Sequence, residues 1–185
     1  FQATLTGGEI YGWIPTETFG GLQYKAQIGK PMVDMEHSGL RRQLEGNGFF
    51  DIDDHIETDT TVMGALTWIT PINGLRIGGT LHSFGFDTSG VFTPTGLGTE
   101  TGMNNIQMYT LSTEYIWNDL TLSAEYLHME SRLDNRFSNG TYLGFDFDQE
   151  GGYVGASYRI NDTVSVGSYY SCLLYTSDAA DDLLC

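Results

Sequence analysis

The chain has 185 residues, enough for one domain, with 17% charged and 40% hydrophobic residues. Its 24 acidic residues outweigh 8 basic ones, a formal net charge of −16, which excludes a basic phosphate-binding surface and so a nucleic-acid partner. No run of 18 apolar residues occurs, which excludes a transmembrane helix but not a membrane strand, because such a strand alternates apolar and polar residues.

Gly (24), Tyr (11) and Phe (10) are abundant beside 4 Pro, a composition of strands and turns rather than helices. In chain order, a run ending near Ile14 and the alternating run Leu22 to Gly29 predict a first hairpin across Pro15 to Gly21. Val62 to Ile69 and Leu75 to Phe84 predict a second across Thr70-Pro-Ile-Asn-Gly74, where Asn73-Gly74 is a strong turn pair. Tyr109 to Trp117 and Leu120 to Tyr126 flank Asn118-Asp119, a two-residue hairpin turn. Gly152 to Ile160 and Thr163 to Tyr170 flank Asn161-Asp162 in the same way.

This predicts about eight strands in four hairpins, each near the length of about 9–11 residues that crosses a bilayer at a tilt. Between hairpins lie predicted long loops: Lys30 to Thr61, Phe86 to Asn105 and Glu130 to Glu150. Short turns at one end and long loops at the other predict an all-β, antiparallel, up-and-down transmembrane barrel; a soluble sandwich would carry turn signals more evenly.

The alternation assigns two faces. One carries Leu22, Tyr24, Leu66, Trp68, Ile77, Leu111, Leu122 and Val154; the other carries Lys25, Arg76, Glu114, Glu125 and Arg159 among Ser, Thr and Gln. The parity of Glu9 is less clear. Those five charged residues are candidate pore-lining groups. Trp13, Trp68 and Trp117 fall one to three residues before a short turn, and Tyr158 sits likewise before Asn161, so the four are candidates for an interfacial aromatic girdle.

The loop 30–61 holds Arg41 and Arg42, then Asp51, Asp53, Asp54 and Glu57. Opposed charges in the longest link make it a candidate constriction loop that bends inward; an exposed outer loop is the alternative. Asp146, Asp148 and Glu150 match the opening of a calcium loop, but Ser157 stands where the closing Glu belongs, so an acidic loop end is the simpler reading, with a looser surface site for a divalent cation as the alternative, and no metal is assigned. His37, His55, His82 and His128 lack metal-ligand spacing, and Ser83 and His82 face opposite sides of one strand. No catalytic residue, enzyme activity or cofactor is assigned.

Residues 171–185 break the pattern, hold both cysteines (Cys172 and Cys185) and look like translated sequencing-adapter read-through; a disulfide is the competing reading. The expected domain is thus 1–170, with 171–185 a non-native tail.

Phrases such as Thr70-Pro-Ile-Asn-Gly-Leu-Arg-Ile-Gly78 and Trp117-Asn-Asp-Leu-Thr-Leu-Ser-Ala-Glu-Tyr126 resemble the turn-and-strand units of Gram-negative outer-membrane porins, including families from environmental bacteria. The resemblance spans Gly7 to Ser171 and rests on pattern, without an invariant motif. It implies an outer-membrane location, contact with outer-membrane lipids, passive passage of small hydrophilic solutes or ions, and a homo-oligomer such as a trimer as one assembly. It also implies a fragment lacking strands at both ends, because a barrel begins and ends on the periplasmic side. A non-channel barrel with a structural or adhesive role is the first alternative, and a soluble all-β binding domain the second.

Overall fold

The computed structural model describes residues 3–33, 45, 48, 50–177 and 180–184. Ten strands form one antiparallel sheet: β1 (Ala3–Thr16), β2 (Gly20–Val33), β3 (Phe50–Thr58), β4 (Thr61–Ile69), β5 (Leu75–Phe92), β6 (Leu97–Trp117), β7 (Leu120–Phe137), β8 (Tyr142–Arg159), β9 (Ser165–Ser177) and β10 (Ala180–Leu184). The order is β1-β2-β4-β5-β6-β7-β8-β9-β10, up and down, and open at both edges. The expected all-β antiparallel meander is therefore the fold.

The two strands beyond the expected eight are β3, from the expected loop 30–61, and β10, from the expected tail 171–185. β3 pairs with the far half of β5, and β4 with its near half, so the two together run like one interrupted strand. Asp59 donates its backbone N–H to the Gly85 carbonyl at 2.9 Å, carrying the ladder across the break. Thr58 Oγ1 donates to the Pro31 carbonyl at 2.6 Å and ties β3 to β2. The second half of the expected loop 30–61 is therefore sheet. Beyond Tyr170, β9 continues to pair with β8 as far as Ser177, and Cys172 is disulfide-bonded.

The other two expected loops are sheet as well. β5, β7 and β8 have 18 residues and β6 has 21, roughly twice the length that crosses a bilayer. Only the tips turn: Gly96 donates to the Phe92 carbonyl at 2.9 Å, and Gly140 to the Phe137 carbonyl at 2.9 Å.

At the opposite end the turns after β4 and β6 fall where the sequence places them, while the one after β8 is wider than expected. Asn118 takes positive φ (53°) in the two-residue turn after β6. Gly74 has φ 85°, and a Cβ there would collide with the Ile116 carbonyl oxygen; only Gly fits both demands. Asn161 Oδ1 accepts from the backbone N–H groups of Thr163 and Val164, both at 2.9 Å, so the last turn is wider than two residues.

One irregularity shapes the middle of the sheet. β6 carries a bulge between Asn104 and Gln107, with Asn105 at φ 54°. The bulge shifts the parity of β6, so Gln107 and Asn104, three apart, lie on one face.

Candidate functional site

Register fixes the two faces, because residues directly opposed in an antiparallel pair lie on the same side. One row runs Leu66, Gly79, Leu111, Tyr126, Gly152 across five strands, and the next runs Trp68, Ile77, Thr113, Ala124, Val154. This first face is apolar near the short turns, and Leu66, Leu111 and Val154 are 55%, 60% and 57% exposed. Among the described residues no second layer covers it.

Farther from the short turns the first face changes character at one level. On β7 the residues after Tyr126 are His128, Glu130, Arg132, Asp134 and Arg136; on β8 the matching positions are Glu150, Asp148, Asp146, Gly144 and Tyr142. β5 passes from Leu81 to Ser83 and Asp87, and β6 from Tyr109 to Gln107, Asn104 and Glu100. The second face inverts in the opposite sense: it is polar near the short turns, then presents Phe84, Phe86, Ile106, Leu133 and Phe145. Ile52, Phe86 and Ile106, the buried apolar residues among those described, lie in this far half.

The charged far half of the first face is knitted by ion pairs. Arg132 meets Asp134 at 3.1 Å and Asp146 at 3.2 Å, and Tyr142 donates its hydroxyl to Asp134. The Tyr142 hydroxyl and the Arg132 guanidinium hold the Asp134 carboxyl below its ordinary value. Asp87 is pushed the other way, first by burial and then by the neighbouring charges of Asp59 and Glu57. His128 stands 3.1 Å from Glu130, 3.4 Å from Asp148 and 3.5 Å from Glu150.

Asp146, Asp148 and Glu150 thus alternate along a strand, with Arg132 and His128 against them, rather than curling into a loop around an ion. No group of three or more side chains suited to hold a metal is found among the described residues. His82 lies on the second face and Ser83 on the first. Asp51 and Glu57 belong to β3 in the sheet wall rather than to a loop, because their backbone groups pair with β5. Asp53 and Asp54 lie on the same strand; their side chains, with Arg41 and Arg42, are outside what is described.

The aromatic candidates divide. Trp68, Trp117 and Tyr158 lie on the first face at the short-turn end, and Trp68 Nε1 donates to the Phe19 carbonyl at 2.7 Å. Trp13 pairs with Gln23, whereas Trp68 pairs with Leu22, so Trp13 is on the second face and its ring lies over Gly21. Position before a turn gave its height; pairing gave its side.

All five candidate lining charges lie on the second face, in the half near the short turns. Lys25 meets Glu9 at 2.9 Å, which settles the side of Glu9. Arg76 and Glu114, directly opposed on β5 and β6, form an ion pair, with Arg76 Nε at 3.0 Å from the carboxylate. Arg159 reaches back to Asp119 of the β6–β7 turn at 2.9 Å. Glu125 lies between Ser112 and Tyr153 on the neighbouring strands. The three pairs join residues far apart in sequence, a signal that alternation does not carry.

Compared with known proteins, the chain matches no family model, no curated protein and no solved structure.

Proposed function

We propose that this chain forms part of the wall of an outer-membrane channel that passes small hydrophilic solutes or ions by diffusion. The observation that carries the reading is the level at which both faces invert. Below it the first face offers apolar side chains to a surrounding solvent that is itself apolar; above it the same face is charged, as it is when water surrounds it. On β6 the apolar stretch runs from Tyr109 to Trp117. At roughly 3.3 Å per residue this is about 30 Å along the strand, and a tilt of about 40° brings it near the ~25 Å apolar band of outer-membrane barrels.

A soluble binding domain is disfavoured by the same surface, since monomeric soluble proteins rarely expose an apolar area of this extent. The reading requires the sheet edges to be paired, because each unpaired backbone group in hydrocarbon costs several kcal/mol. Flanking strands of a longer chain, or further copies, would supply the partners.

The test is electrical. The full-length polypeptide carrying this segment, folded into lipid and fused with a planar bilayer, is expected to give stepwise ohmic conductance. A folded, membrane-inserted protein without conductance would replace the channel with a non-channel barrel of structural or adhesive role.

A further inference from the structure

On the second face, in the half near the short turns, the charged strand residues among those described are Glu9, Lys25, Arg76, Glu114, Glu125 and Arg159, while Glu17, Asp119 and Asp162 lie in the short turns themselves. Each basic group is paired: Lys25 with Glu9, Arg76 with Glu114, Arg159 with Asp119. Glu125 makes no ion pair and no side-chain hydrogen bond among the described residues, and its neighbours across the strands, Ser112 and Tyr153, are neutral.

A pair of opposite charges at contact acts at a distance as a dipole, whose potential falls faster than that of a single charge. Pairing therefore removes from the wall the three cations that would draw anions, whatever little the exposed pairs add to stability. A lone carboxylate acts over a Debye length, about 8 Å at physiological ionic strength, which is the scale of a solute beside a wall.

We infer that Glu125 sets the charge preference of this wall, favouring small cations over anions, with the basic residues of the same face silenced by their partners. The inference rests on the channel reading. It is tested by the reversal potential of the full-length protein in planar bilayers under a potassium chloride gradient. Glu125→Gln is expected to lower the cation-to-anion permeability ratio roughly sevenfold, because one thermal unit of wall potential enriches cations about 2.7-fold and depletes anions by about the same factor. Arg76→Gln, which leaves Glu114 alone, is expected to raise it. Glu130→Gln, a carboxylate lost from the opposite face above the inversion level, is expected to leave it unchanged. Single-channel steps of ordinary size in each variant report a folded channel. An unchanged ratio in a conducting Glu125→Gln channel overturns the role of Glu125 and leaves the channel; absence of conductance in the parent protein overturns the channel itself.

Discussion

Tyr126 and His128 are consecutive residues on one face of β7, and the surroundings that suit them change between them. Tyr126 shares a row with Leu66 and Leu111, while His128 sits among Glu130, Asp148 and Glu150. If this step is the outer limit of the apolar band, the cost of a charge on the first face depends on its height. Leu122→Arg is expected to destabilise by about 2–4 kcal/mol near mid-depth, Ser123→Arg on the second face far less, and Glu130→Arg above the step about nothing. Denaturant titration of the protein folded in lipid vesicles measures all three, and equal costs for Leu122→Arg and Ser123→Arg would refute the assignment of faces.

The side of each tryptophan is open to a separate check. In single-tryptophan variants folded into vesicles with brominated acyl chains, Trp117 is expected to lose most of its fluorescence and Trp13 little of it. Equal quenching of the two would mean that the pairing of Trp13 with Gln23 is not the one in the membrane.

Asp87 lies in an acidic neighbourhood with Asp59, Glu57 and Glu100, and Arg136 offsets only part of it. Burial and these charges raise its pKa in the folded state, so the folded protein holds a proton more tightly than the unfolded chain does. The ionised carboxylate therefore costs stability above the folded pKa, and the cost disappears as pH falls through that value toward the ordinary 3.8. Asp87→Asn is expected to stabilise the β5–β6 tip at neutral pH by a fraction of a kcal/mol, with the advantage gone in acid. Amide exchange of the tip at the two pH values reads this; an advantage that grows on acidification has the wrong sign and would count against the packing of Asp87.

Asn105 holds the β6 bulge with positive φ, which Asn tolerates and a β-branched residue does not. Asn105→Val is expected to cost about 1–2 kcal/mol, and Asn105→Gly little or nothing. If the two substitutions prove equally mild in thermal unfolding, the bulge is not fixed by this backbone angle.

The near half of the sheet was legible because strand periodicity is local. Leu120 to Tyr126 alternates strictly, and Asn118-Asp119 and Asn73-Gly74 announce their turns without knowledge of any neighbour. The far half was hidden by the inversion. His128-Met-Glu-Ser-Arg-Leu-Asp-Asn-Arg-Phe137 alternates less strictly, with Ser131 and Asn135 among Met129, Leu133 and Phe137, and it puts polar residues on the face that had been apolar, so it reads as loop. In β6 the bulge at Asn105 also shifts the count. The side of Trp13 was not written locally either: β1 alternates poorly, and only the pairing of Ile14 with Leu22 places it.

Local patterning is enough to show that the chain makes amphipathic strands joined by hairpin turns, and which residues of each run share a face, because side chains in a strand repeat every two residues whatever lies beside it. The length of the strands, the level at which both faces exchange polarity and the charges that stand alone come from the assembled sheet. Those depend on which strand lies alongside and in what register, and the ion pair of Arg76 with Glu114, 38 residues apart, exists only once that register is set.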